Sequence, residues 1–298
     1  MLAIFSPYMK PTLNIIGCGK LGRTLAHLWH TSDLVRIGNI LNRRIDSARE
    51  ATDFIGAGTA IETIEQLSAA ELWLIATPDG EIASTSKDLA NQSLLSEDNI
   101  VFHCSGALGS DILKNPRQNP VASVHPIHSF ADPKKSIGSF AGSYCACEGD
   151  PIALQQLKPL FAHLGAHLFD VDGQAKTVYH AASVMACNNL VGLLDASLQC
   201  FKQAGVDPQL AKSLLLPIVH QTVDNTLQGS PTQALTGPVS RGDQQTVTHQ
   251  QQALDHFDSD ILDIYNSLGR QVLKVARQQG LDDNQANTLQ QLFSKVPQ

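Results

Sequence analysis

Three basic side chains stand where each could move a proton. His125 opens the run His125-Pro126-Ile127-His128-Ser129-Phe130 directly after the apolar residues Val121 to Val124, and Lys176, His180 and Ser183 fall at i, i+4 and i+7, on one face of a helix. An imidazole with a reference pKa of about 6.5 exchanges protons near neutral pH. Any of His125, His180 and Lys176 could therefore handle the proton that accompanies a hydride transfer, with Asn188 or Asn189 orienting the substrate. Arg241, in the loop Thr236-Gly237-Pro238-Val239-Ser240-Arg241-Gly242-Asp243, could grip a carboxylate through two parallel hydrogen bonds, and Asp243 is placed to cap the helix that follows. The same residues have plainer uses. Lys176 could be an exposed first-turn residue, His180 a satisfied core histidine, His128 a loop-ordering histidine and Arg241 half of a structural ion pair. His125 and His128 have no third ligand close by, so no metal site is expected.

The cofactor signal is more specific. Thr12 to Ile16 is a short β-like run that breaks into Gly17-Cys18-Gly19-Lys20-Leu21-Gly22 and continues into a helix-forming stretch, the context in which G-x-G-x-x-G binds a dinucleotide. Gly17 permits the tight turn, Gly19 lets backbone N–H groups approach a pyrophosphate, Gly22 allows close helix–strand packing, and the helix N-terminus presents its positive dipole end. An NAD-preferring domain of this kind carries an acid about 20 residues further on. Here Asn42 stands at that point, followed by Arg43 and Arg44, and an amide with guanidinium groups can bind a 2′-phosphate that an acid would repel. NADP is therefore the expected cofactor. Thr77-Pro78-Asp79 and Cys104-Ser105-Gly106 lie at the ends of later β-like runs, where open α/β sheets bind ligands, and are expected to line the nicotinamide side, with Ser105 also in reach of substrate.

The elements that position these groups follow from the alternation of patterns. Val35 to Leu41, Leu72 to Ala76 and Ile100 to Phe102 read as further strands, with helices at Ile45 to Phe54 and Glu81 to Leu95 between them. Strands alternating with helices build a doubly wound, mainly parallel sheet. After residue 173 long helix-period segments take over, which predicts a Rossmann domain over 1–173 and an all-α domain over 174–298. Lys176 to Gln203 is apolar on most of its circumference and reads as a central helix buried on several sides. Helices at Leu210 to Leu227, Gln244 to Phe257, Asp260 to Gln279 and Asp283 to Lys295 follow, the last placing Leu289, Leu292, Phe293 and Val296 on one face.

Composition narrows the function class. Of 298 residues, 43% are hydrophobic and 16% charged, with 21 Lys+Arg against 28 Asp+Glu for a net charge of −7, so a folded chain is expected and a nucleic-acid partner is not. No run approaches the roughly 18 consecutive apolar residues that span a bilayer, and Met1 to Pro11 has no basic segment before its apolar residues, so the reading is cytoplasmic with no membrane partner. The six cysteines form no C-x-x-C pair and read as reduced thiols.

The whole chain resembles a bacterial family of Rossmann-like proteins with an all-α C-terminal domain of unknown function. The motifs that carry the resemblance are the G-C-G-K-L-G turn, N-R-R after the second strand, the H-P segment, the K-x-x-x-H helix start and the T-G-P-V-x-R-G-D loop. Wider relatives are pyrroline-5-carboxylate reductases, 3-hydroxyacid and 6-phosphogluconate dehydrogenases, prephenate dehydrogenases and deazaflavin-dependent NADP reductases. Lys176-x-x-x-His180 is similar to the Lys-x-x-x-Asn of the 3-hydroxyacid dehydrogenases, with Lys176 on the acid/base lysine. Ser105 and His125-Pro126 look like the serine and His-Pro of prephenate dehydrogenases, where the histidine contacts the reacting hydroxyl. The resemblance implies a homodimer through the C-terminal helices. The reading is then an NADP-dependent oxidoreductase acting on a small, carboxylate-bearing carbonyl/alcohol or imine/amine substrate; the alternatives are a non-catalytic NADP-binding or redox-sensing protein and a pyrroline-5-carboxylate reductase-like imine reductase.

Overall fold

The computed structural model describes residues 10–294; most of the Met1 to Pro11 segment, and Val296, lie outside the described residues. Strands β1 (Thr12–Ile16), β4 (Leu72–Ile75) and β5 (Ile100–His103) are buried at every position. Parallel strands covered on both faces require that. The two-residue period then sorts side chains between two cores: Leu72 and Leu74 pack with Leu25, Trp29 and Phe161, whereas Trp73 and Ile75 pack with Ile82 and Leu89.

The sheet has eight strands in the order β3-β2-β1-β4-β5-β6-β7-β8, completed by β2 (Arg36–Leu41), β3 (Thr59–Ile61), β6 (Val121–Ile127), β7 (Tyr144–Gly149) and β8 (His167–Asp170). All neighbours are parallel except β6 and β7. Strand order reverses between β1 and β4, so their carboxyl ends frame a crevice. Helices α1 (Lys20–Thr31), α2 (Ile45–Ile55), α3 (Asp79–Asn91), α4 (Pro133–Ser139) and α5 (Pro151–His163) connect the strands, and α6 (Lys176–Ala186) follows β8.

The chain divides into two compact units between Met185 and Ala186. Continuous helix does begin near residue 173, yet α6 belongs by its contacts to the first unit, because its opening residue Lys176 is wholly buried and bonded to the β5–β6 region. The second unit contains α7 (Asn188–Gln203), α8 (Pro208–Asp224), α9 (Pro231–Ala234), α10 (Gln244–Asp255), α11 (Ser259–Gln278) and α12 (Asp283–Phe293). Asp207, Asp243, Asp258 and Asp282 each cap a helix by accepting first-turn N–H groups. Its core gathers Val247, Leu273, Ala276, Leu289 and Phe293.

The expected central helix is corrected. Helix breaks between Ala186 and Asn188, and over Lys176–Gln203 only Lys176 and Ala196 are buried. The apolar circumference is real but uncovered: Val178, Met185 and Val191 are 76%, 66% and 68% exposed. By length and composition alone, Gly173–Gln203 would suffice to cross a membrane. Its start is instead fixed in the sheet by Lys176.

Candidate active site

A cleft of about 980 Å³ opens at the carboxyl ends of β1, β2, β4 and β5. At one end lies the glycine turn. Gly17 has φ +86°, and a Cβ there would stand 2.5 Å from the Thr77 N atom and 2.8 Å from the Ala76 carbonyl carbon, so only glycine closes this turn against β4. A Cβ on Gly19 would meet nothing within 4 Å, which leaves open space over the start of α1. That helix has no side-chain cap and no acid in its first turn, so its leading N–H groups remain free for an anion. Thr77 Oγ1, also in the cleft lining, is buried with no hydrogen-bond partner. An uncapped helix start, open space beside it and an orphaned hydroxyl fit a dinucleotide pyrophosphate.

Gly17, Cys18, Gly19, Leu21, Asn42, Arg43, Arg44, Thr77, Pro78, Cys104 and Ser105 all line this cleft, as the motif reading expects; Lys20 and Gly22 do not. Gly22 sits against the Cys18 thiol and Ala76, the close packing its position predicts. Asn42 serves the turn itself, its Oδ1 accepting from the Cys18 N–H at 2.6 Å. Burial pushes the Cys18 thiol up to about 12, so it stays protonated. Arg43 reaches across the mouth to Glu81 on α3 at 2.7 Å, and Arg44 is exposed at the start of α2.

At the far end, a bonded lattice fixes the Cys104-Ser105-Gly106 turn. Ser105 Oγ donates to Asp79 Oδ2 at 2.9 Å and accepts from the Ala107 and Leu108 N–H groups. The Ser105 N–H donates to His103 Nδ1, which leaves the His103 proton on Nε2, facing the Gly109 carbonyl at 3.2 Å. Burial holds His103 down to about 4, so that ring is neutral. Beneath the turn, Lys176 Nζ donates to the Ser105 carbonyl at 2.8 Å and to Ser123 Oγ, and lies 3.8 Å from Glu148 Oε1. Glu148 is held in turn by Ser110, through N at 2.7 Å and Oγ at 2.8 Å. Burial lowers the Lys176 pKa, with the Glu148 carboxylate working against it. The exposed first-turn lysine of the plainer reading is thus corrected: the amine is internal and spent on the wall of the site.

Gly106 is the point where the histidines meet. A Cβ there would overlap His180 Nδ1 and come within 2.8 Å of His125 Cε1 and Nε2. The rings of His125 and His180 are 5.4 Å apart and nearly perpendicular. His180 Nδ1 is buried without a partner. His125 Nδ1 is 3.0 Å from the Tyr179 hydroxyl. Burial, followed by the electrostatic influence of His180, lowers His125 to about 4. Chain spacing gave no sign that residues 125 and 180 would touch. Tyr179 escaped the sequence reading entirely; the only available signal was its place beside His180 on α6. His128 has the loop-ordering role, with Nδ1 3.1 Å from Ser143 Oγ and Nε2 3.3 Å from Ser139 Oγ. Among the described residues no group of histidine, cysteine and acidic side chains could hold a metal ion. Asn188 and Arg241 belong to the second unit.

Two family models match different stretches of the chain, and the second begins within the first unit and crosses the boundary at Met185. Residues 8–126 match a Rossmann-like domain and residues 143–272 match a domain of unknown function, DUF2520. The chain combines these two domains. No curated protein matches it. Among solved structures it is similar to protein TM1727 from Thermotoga maritima, with 28% identity over 90% of this chain and 99% of that one and a TM-score of 0.68. A candidate NADP oxidoreductase from Bacteroides fragilis is 20% identical over 88% of this chain and 98% of that one, with a TM-score of 0.74. A pyrroline carboxylate reductase from Plasmodium falciparum, solved with NADP bound, is 12% identical over 95% and 98% of the two chains, with a TM-score of 0.55. The chain therefore shares its fold with these three proteins.

Proposed function

We propose that the protein is an NADP-dependent oxidoreductase that transfers a hydride between the nicotinamide and a small carbonyl/alcohol or imine/amine compound bearing a carboxylate. The observation that carries this is the meeting of two imidazoles, His125 and His180, at Gly106, the residue after the Cys104-Ser105 lining of the cleft beside the glycine turn. The glycine turn and the start of α1 would hold the pyrophosphate, and Arg43 and Arg44 the 2′-phosphate. The nicotinamide supplies or accepts hydride at its C4. His125 or His180 handles the accompanying proton, Ser105 orients the ring side of the cleft, and Lys176 holds the Ser105 carbonyl in place. Asn188 and Arg241 remain proposed substrate contacts, Arg241 for the carboxylate. Six cysteines without a disulfide among the described residues suit a reducing cytoplasm.

We also infer a homodimer through the second unit. Leu210, Leu214, Leu216 and Ile218 on α8 are 46% to 62% exposed, and only Ala211 of that helix is buried. A 17-residue helix so apolar calls for a partner surface. Sedimentation should give twice the 32.1 kDa chain mass, and Leu216→Glu with Ile218→Glu should shift it toward monomer.

The cofactor is tested by calorimetric titration with NADPH and NADH, repeated on Arg43→Glu. Tight NADPH binding, weaker NADH binding and loss of that difference in the variant support the reading. No binding of either nucleotide overturns it. Tight binding with no turnover on any carbonyl or imine would instead favour a nucleotide-sensing role.

A further inference from the structure

We infer that Tyr179 is a positioning residue that holds His125 as the Nε2–H tautomer, making it a neutral hydrogen-bond donor for an uncharged acceptor atom, a carbonyl oxygen or an imine nitrogen. The tautomer rests on the contact between the Tyr179 hydroxyl and His125 Nδ1 and on the phenol being the stronger donor of the two; the acceptor class rests on the oxidoreductase reading above.

The Tyr179 hydroxyl is 3.0 Å from His125 Nδ1 and has no other hydrogen-bond partner among the described residues. A phenol donates its single proton to the acceptor within reach, and here that is the Nδ1 lone pair. Tyr179 keeps that proton, since burial raises its pKa to about 12. With Nδ1 occupied as an acceptor, the proton of a neutral imidazole resides on Nε2. The Cε1–Nε2 edge is the one turned toward Gly106, so the N–H is presented beside that turn. Among the described residues no carboxylate acts on this ring: besides Tyr179, the titratable groups that do are His180 and Lys176 on α6 and His103 on β5. All three disfavour an imidazolium, and a neutral ring polarises a lone pair without demanding a counter-charge. Tyr179 itself is placed by its edge-on contacts with His125 and Phe169, at centroid distances of 5.8 and 6.2 Å.

The experiment is nitrogen NMR on protein labelled at histidine with ¹⁵N, saturated with NADP, with His125→Gln identifying the His125 signals. The wild type should show His125 as the Nε2–H form. Tyr179→Phe keeps the ring and removes only the donor, and should raise the proportion of the Nδ1–H form roughly fivefold, the effect of losing one ordinary hydrogen bond. His103, whose tautomer is set by Ser105, should not change and reports on intact folding. A dominant Nδ1–H form in the wild type, or an unchanged ratio in Tyr179→Phe with His103 unperturbed, overturns the role of Tyr179. A panel of ketones, aldehydes and cyclic imines incubated with NADPH tests the acceptor class: turnover in which Tyr179→Phe lowers kcat and leaves KM unchanged supports it. Absence of NADPH oxidation with every member overturns that class while the tautomer result stands. Failure of NADPH to bind at all overturns the oxidoreductase reading instead, and the spectra of the nucleotide-free protein still decide the tautomer.

Discussion

Lys176→Met should unsettle the site from beneath without touching its surface. The lysine side chain is wholly buried, and its amine serves the Ser105 carbonyl, Ser123 Oγ and the charge of Glu148, which is itself only 12% exposed. Removing one member of a buried charge pair costs about 3–5 kcal/mol, because the remaining charge is stranded. Glu148 keeps two hydrogen bonds from Ser110, which places the expected loss at the low end, about 3 kcal/mol. The protein offers a selective probe, since its two tryptophans, Trp29 and Trp73, are both buried in the first unit. Urea unfolding followed by tryptophan fluorescence should show the midpoint falling by about 1 to 1.5 M, taking a urea slope of 2–3 kcal/mol per M. Adding Glu148→Gln to Lys176→Met should recover about 1–2 kcal/mol, since the stranded charge is then gone. A midpoint change below about 0.3 M in the single variant, or a double variant no better than the single, would refute the account of the amine as an internal strut.

Acid should weaken the first unit as pH falls below 6.5, through two largely buried histidines. His103 and His125 are both held at about 4, against an ordinary value of 6.5, so above pH 6.5 they are neutral in both folded and unfolded chains and contribute nothing. As pH falls from 6.5 to 4 the unfolded chain takes up protons that the folded chain refuses, and stability drops, by about 3 kcal/mol for the fully buried His103 alone. The same fluorescence-monitored unfolding across that range should show the decline, and His103→Gln should flatten it; a pH-independent midpoint would contradict the burial argument. At the cofactor mouth, Glu81→Gln should release Arg43 from its 2.7 Å ion pair and tighten NADPH binding several-fold relative to NADH in calorimetry. Equal gains for both nucleotides would place Arg43 away from the 2′-phosphate.

The legible parts of this protein are those encoded by local pattern. Apolar runs such as Leu-Trp-Leu-Ile at β4 are strands wherever a sheet is covered on both faces, and G-C-G-K-L-G between such a run and a helix has one structural use. β7 and β8 were harder to read because polar residues at Glu148, His167 and Asp170 interrupt their apolar character. The long helix was misjudged for a different reason. Periodicity reports how much of a helix is apolar, and it says nothing about whether another surface covers it; Val178 and Val191 are left exposed among the described residues.

The chemistry of the site was only half legible, because its groups come from segments that meet through the sheet. His125 lies within β6, Gly106 follows β5, and Tyr179 and His180 ride on α6, separated by up to 74 positions. The side-chain types at 125 and 180 could be marked as proton carriers, but their partnership could not. Lys176 shows the sharper lesson. A lysine four residues before a histidine on one helix face looks like a member of the same constellation, yet a helix start presents successive turns to different depths. The first turn of α6 drives Lys176 into the wall against Ser105 and Glu148, while the next turn brings His180 to Gly106. Spacing fixed their shared face, and the depth of the sheet beneath that face decided that Lys176 meets Ser105 while His180 meets Gly106.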